Sequence, residues 1–202
     1  MRRILAVSFT LSLLAAISMQ SISAQESTTR GFNLGIHLSA ASIEIDNERS
    51  NAGGGGLWIG YGFNRRVQLF LQLDGAEFDV SDTDVTGTWT MGHGDLGVRF
   101  HFANSLRSWV PYLQAAISGR AVSVDNATVE GTPETDVALT GGALTLGGGI
   151  LFYFSQSLAA DLQLLWSGGE FTQVKVNNVT VDLTNPLEAQ SSRFNIGLSW
   201  WP

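Results

Sequence analysis

The stretch Ser192-Arg193-Phe194-Asn195-Ile196-Gly197-Leu198-Ser199-Trp200-Trp201-Pro202 alternates with period two. Phe194, Ile196, Leu198 and Trp200 fall on one face; Arg193, Asn195, Gly197 and Ser199 fall on the other. Successive side chains of an extended strand point to opposite sides, so the stretch is a strand with one large apolar face and one small or polar face. The same rhythm recurs upstream. Leu158, Ala160, Leu162, Leu164 and Trp166 oppose Ala159, Asp161, Gln163 and Ser167, with Leu165 the one large apolar residue out of phase. Leu96, Val98, Phe100 and Phe102 oppose Asp95, Gly97, Arg99 and His101. Phe32, Leu34, Ile36 and Leu38 oppose Asn33, Gly35, His37 and Ser39, and Leu57, Ile59, Tyr61 and Phe63 oppose Trp58, Gly60, Gly62 and Asn64.

Eight such segments are readable, at about 31–45, 54–63, 66–79, 88–102, 110–124, 142–154, 158–171 and 191–201. The 23 glycines fall largely within them and argue against helix, where each would be destabilising. The connections alternate in length. Asn64-Arg65, Ala103 to Trp109 and Ser155 to Ser157 are short; Asp46 to Gly53, Ser81 to Gly87, Asp125 to Gly141 and Thr172 to Gln190 are longer on average. Short turns on one side and long loops on the other are the pattern of a transmembrane barrel, and an even strand count puts both termini in the periplasm. Aromatic residues gather at segment ends: Phe63, Phe100, Phe102, Tyr153, Phe154, Trp200 and Trp201 at one side, Trp89, Trp166 and Phe171 at the other. They are expected to form two interfacial girdles.

The chain opens with Met1-Arg2-Arg3, an apolar run from Ile4 to Ile17, and small residues around Ser21-Ile22-Ser23-Ala24. That order reads as a cleaved signal peptide over 1–24, followed by a short segment, 25–30, and one barrel domain, 31–202. The apolar run is shorter than the ~20 residues of a spanning helix. There is no Cys, hence no disulfide and no thiolate metal site. Two of the 11 basic residues, Arg2 and Arg3, lie in the leader, and all 18 acidic ones lie beyond it. A mature surface this acidic excludes nucleic acid as a partner, because binding it rests on Lys and Arg.

A soluble barrel would alternate too, but with its apolar face inward and charges outside. Here the second face is mostly Gly, Ala, Ser, Asn and Gln, and Lys175 is the single lysine. Such a face suits the narrow interior of a barrel, and the plain Leu, Ile, Val, Phe and Trp face suits lipid. At eight strands the interior is just wide enough for side chains to fill it. Asp74, Asp95, Arg99, His101, Arg120, Asp161, Gln163 and Arg193 are expected to form a polar network in that lumen, acids pairing with arginines, since an unpaired buried charge is costly.

Taken together, the leader, the eight segments and the final strand resemble the small outer-membrane β-barrels of the OmpA, OmpX and opacity-protein type, across about 30–202. The resemblance implies an all-β, eight-stranded, antiparallel, up-and-down transmembrane barrel, monomeric, in the bacterial outer membrane. It implies as partners outer-membrane lipid, lipopolysaccharide and, during biogenesis, the barrel-assembly machinery. In that group the last strand usually ends in an aromatic; here Pro202 takes that place and Trp201 is the aromatic beside it. No peptidoglycan-binding domain is expected after the barrel.

Catalytic chemistry finds little footing. His37-Leu38-Ser39 resembles the His-x-Ser pair of lipid A deacylases, but no carboxylate is evident at the right phase to orient the histidine, and lipid chemistry needs the outer surface. His93, Asp95 and His101 share a face, yet His93 and His101 lie about 26 Å apart along a strand and cannot share an ion. Gly53 to Gly56 and Gly147 to Gly149 lack the following helix and lysine of a phosphate loop. No catalytic residue, metal or cofactor is expected. Acidic residues crowd the long loops, among them Asp82, Asp84, Asp125, Glu130, Glu134 and Asp136. The reading is a non-enzymatic barrel with a structural or surface-interaction role through acidic extracellular loops. The alternative is a narrow OmpW-like transport barrel for small or apolar solutes, with Trp58 and Phe70 on the lumen phase; a lipid A-modifying barrel comes last.

Overall fold

Eight strands follow one another in the computed structural model, which describes residues 29–45, 48–78, 86–102, 108–128, 135–176 and 179–202. They are β1 (Gly31–Ile45), β2 (Glu48–Gly62), β3 (Val67–Phe78), β4 (Thr86–His101), β5 (Trp109–Thr128), β6 (Thr135–Tyr153), β7 (Leu158–Val176) and β8 (Val179–Trp200). Every neighbour in sequence is an antiparallel neighbour in space, and β8 returns to β1, with Leu34 opposite Trp200 and Ile45 opposite Ala189. The sheet is closed, so no strand edge faces lipid within the ring. The leader reading for 1–24 lies outside the described residues.

The strand starts and stops agree closely with the expected segments at one end, where the turns 63–66 and 154–157 and both ends of the barrel chain lie. At the far end the strands run on. β2 begins at Glu48, β5 continues to Thr128, β6 begins at Thr135, and β7 and β8 reach Val176 and Val179. The expected loops Asp46 to Gly53 and Thr172 to Gln190 are therefore mostly hairpin. In the second, Phe171 pairs with Leu187 and Gln173 with Asp182, so residues 183–186 of β8 bulge against Thr172 alone. The physical reason is that these stretches project past the lipid. Their backbone ladder persists, because it needs only a neighbouring backbone, while the apolar alternation that betrays a strand in sequence has no lipid to select it.

The apolar face points outward. Phe32, Leu34, Ile36 and Leu38 are exposed on β1, as are Leu57, Ile59 and Tyr61 on β2 and Phe194, Ile196, Leu198 and Trp200 on β8. The belt they form begins at the turn end on every strand. Beyond it the outward positions become Gly53, Gly75, Gly92 and Ala121, and then the exposed acids Glu44, Glu77, Glu170 and Glu188. A water-soluble protein of this size does not expose such a continuous apolar surface; a bilayer does not penalise it.

This geometry predicts a position-dependent charge penalty. Leu198 sits mid-belt, between Ile36 on β1 and Ala160 on β7. Leu198→Arg is expected to cost ~2–4 kcal/mol, whereas Gln190→Arg, past the belt on the same strand, is expected to cost under ~1 kcal/mol. Urea unfolding from lipid vesicles measures both; equal costs would place the outer face out of lipid.

Candidate functional site

The inward phase carries buried side chains in three tiers. At the turn end, Val110, Tyr112, Leu151, Tyr153, Ala159 and Trp201 form a buried apolar cap. Trp201 packs edge-on against Trp58, with ring centroids 6.4 Å apart, and against Tyr153 at 5.3 Å. Trp58 fits because Gly35 lies opposite it on β1: a Cβ there would come within 2.3 Å of the indole nitrogen. Above the cap, the guanidinium of Arg99 stands 4.1 Å from the ring centre of Tyr112, 4.7 Å from Trp58 and 5.3 Å from Phe70. A cation between aromatic faces is held by their quadrupoles, more strongly when desolvated. Its counter-ion is Asp161, 3.4 Å away, which also accepts from Tyr112 Oη at 2.6 Å, Gln163 Nε2 at 2.9 Å and Ser199 Oγ at 3.3 Å. Arg99 Nε donates to Gln114 Oε1 at 3.0 Å.

The middle tier turns on Arg193 of β8. Its Nη1 bonds Asp74 of β3, and its Nη2 donates to Asp95 of β4 at 2.7 Å and to Ser167 of β7 at 3.3 Å. Asp74 also bonds His37 Nε2 and accepts from Gln72 Nε2 at 3.1 Å. Asp95 accepts from Thr145 Oγ1 at 3.2 Å, and Thr145 shares hydrogen bonds with Ser118 and Ser167. The third tier, toward the far end, is apolar again: Ala41, Ile43, Ala52, Ala76, Met91, Val122, Phe171 and Ala189, with Trp89 and Leu187 packed on it.

All eight residues of the expected lumen network are buried inside the barrel. Asp74, Asp95 and Arg193 meet in the middle tier, and Arg99, Asp161 and Gln163 in the lower one. Two are not tied in as expected. His101 packs edge-on to Tyr112, and its ring nitrogens have no hydrogen-bond partner. Among the described residues Arg120 meets no acid; its Nη2 donates to the Ala189 carbonyl at 3.0 Å. Among the described residues, the buried acids Asp74, Asp95 and Asp161 match the buried arginines Arg99, Arg120 and Arg193 in number, so the lumen is close to neutral.

The expected girdle needs correction. Phe63, Phe100, Phe102, Phe154, Trp166 and Trp200 are exposed on the outer face, but Trp201 is only 2 % exposed and lies in the lumen. Tyr153 and Phe171 are likewise buried inside, and Trp89 packs on the inner far-end cluster. Each stands one residue out of phase with the outward positions of its strand, so phase, and not nearness to a strand end, decides its side of the wall. The reading that His37 lacks a carboxylate is also overturned, for Asp74 binds it. Asp74 lies two strands away, where a single sequence shows no juxtaposition. Ser39 Oγ makes no hydrogen bond, so His37 does not engage it. Among the described residues no cluster of three metal-ligating side chains occurs. Gln72, Ser118, Thr145 and Ser167 were missed as network members, although their small or polar character on the inward phase was a readable signal.

The family model for the outer membrane protein beta-barrel domain matches residues 9–200. The structure is similar to that of Neisserial surface protein A, with a TM-score of 0.63 at 14% identity, covering 84% of this chain and 96% of that one. OprG of Pseudomonas aeruginosa aligns with a TM-score of 0.60 at 10% identity, covering 89% and 98%. The attachment invasion locus protein of Yersinia pestis aligns with 0.56 at 13%, covering 85% and 99%. At these identities the likeness is one of fold. Among curated proteins nothing matches the sequence.

Proposed function

The chain belongs to the outer membrane protein beta-barrel family and resides in the bacterial outer membrane, and from that premise we propose that it is a non-enzymatic envelope protein acting through its framework and its outer rim rather than as a pore. The observation that carries this reading is the filled lumen: a near-neutral, cross-bonded polar core between two apolar clusters. Bulk water and hydrated solutes have no use for such a path. Trp58 and Phe70 are engaged around Arg99, which leaves the narrow transport barrel as the second reading. His37 and Ser39 face inward, away from lipid, and this disfavours lipid A chemistry.

The rim supports a role in surface contact. Glu44, Glu77, Glu170 and Glu188 are exposed at the far end, which lies outside the cell when the turns and termini are periplasmic. Glu170 stands directly opposite Glu188. Like charges so placed repel, and a divalent cation bridging to lipopolysaccharide, or a basic partner surface, relieves that. Of the acidic loop residues read from sequence, Asp82, Asp84, Glu130 and Glu134 lie outside the described residues, and Asp125 and Asp136 fall within β5 and β6.

Planar-bilayer recording and liposome swelling test the first half. The expected result is no steady conductance and no swelling above that of protein-free liposomes; a large steady conductance would overturn it. For the second half, cells producing the protein should adhere to a surface coated with a basic protein more than cells producing the Glu44→Gln, Glu170→Gln, Glu188→Gln variant. Equal adhesion would remove the contact role.

A further inference from the structure

Of the buried arginines, Arg99 and Arg193 have carboxylates within 4.0 Å, and Arg120 has none among the described residues. Arg120 is 3 % exposed and reaches across the lumen from β5. Its Nη2 is tied to the Ala189 carbonyl on β8, and its guanidinium carbon lies 4.8 Å from the ring centre of Phe171 on β7. Nε and Nη1 have no partner. The acids nearest in the network are already committed: Asp74 to Arg193, His37 and Gln72, Asp95 to Arg193 and Thr145. His93, register partner of Arg120 on β4, has its Nε2 3.7 Å from Asp95 Oδ1 and no hydrogen bond at either ring nitrogen, and the hydroxyl of Ser191 is also without a hydrogen bond. The free donors of Arg120 thus lie beside Phe171 and Ala189, members of the far-end apolar cluster.

We propose that this mouth binds a short amphipathic monocarboxylate, with its carboxylate on Arg120 and its aliphatic tail among Ile43, Met91, Val122 and Phe171. A guanidinium cannot shed its proton, so its free donors call for an anion. Apolar walls above a few convergent polar groups are the usual make-up of a small-ligand site. One carboxylate suits one guanidinium that has no carboxylate within 4.0 Å; a dianion would meet the carboxylates of Asp74 and Asp95 beneath. The surrounding inward positions Ala41, Ala52, Ala76 and Ala189 are small, so a tail displaces chiefly the flexible Met91. The site sits above the sealed core, so it needs no conduction through the barrel.

The test uses the full barrel in phosphatidylcholine nanodiscs, titrated with octanoate labelled at the carboxyl carbon and followed by carbon-13 NMR. Octanoate is expected to saturate on the wild type. Hexanoate, two methylenes shorter, should bind about tenfold more weakly. Octanol and octylamine, with the same tail, should not saturate. Arg120→Gln, once shown to fold by its heat-shifted mobility on a detergent gel, should weaken octanoate at least about tenfold while leaving its partition into lipid unchanged. Equal binding of octanoate and octylamine to the wild type would overturn the proposal whether or not the variant folds. So would undiminished octanoate binding to Arg120→Gln.

Discussion

Arg193→Met is expected to destabilise the folded barrel by about 3–5 kcal/mol. The substitution roughly keeps side-chain length but strands Asp74 and Asp95, both buried, without their shared cation. The reason for so large an effect lies in topology. Backbone ladders tie β8 only to β1 and β7, whereas Arg193 reaches Asp74 on β3 and Asp95 on β4, 119 and 98 residues away in sequence. It links opposite walls of the ring. Removing one partner of a buried pair costs more than removing the whole set, because the penalty is that of an uncompensated charge. The variant carrying Arg193→Met, Asp74→Asn and Asp95→Asn together should therefore recover most of the loss. Urea unfolding from lipid vesicles, followed by tryptophan fluorescence, measures both; a single variant within about 1 kcal/mol of wild type would show that the network does not anchor the lumen.

Trp201→Ala is expected to cost about 3–5 kcal/mol, the range for truncating a large buried aromatic. Trp201 closes the turn end of the lumen against Trp58 and Tyr153, and its backbone nitrogen donates to the Ser157 carbonyl at 2.7 Å. Trp200→Ala supplies the contrast. Trp200 is 45 % exposed on the lipid face, so its loss removes interfacial contact without opening a cavity and should cost clearly less. The same unfolding assay decides; if Trp200 proves the costlier of the two, the terminal tryptophan is not the plug.

These neighbouring tryptophans show where reading a sequence succeeds and where it stops. Phase alone assigns Trp200 outward with Phe194, Ile196 and Leu198, and the same phase carries Trp201 inward with Arg193, Asn195 and Ser199. Their shared place at the chain end puts both beside the girdle, and only the period separates them. His37 is different. Nothing on its own strand announces Asp74, because the two meet only when β1 and β3 curve toward a common axis.

The amino-acid sequence by itself determined the strand count, the antiparallel order and which face meets lipid. Each of these follows from a local period of two and from short connections, and both are properties of neighbours along the chain. It also determined that acids and arginines share the inward phase. Closure decided the rest: which acid meets which arginine, that Arg120 is left without one, and that the lumen is capped at both ends. It decided, too, how far the strands run beyond the membrane. Those outcomes depend on register summed around eight strands and on contacts across a diameter. A pattern of period two carries a residue's side of the wall, and no information about what stands across from it.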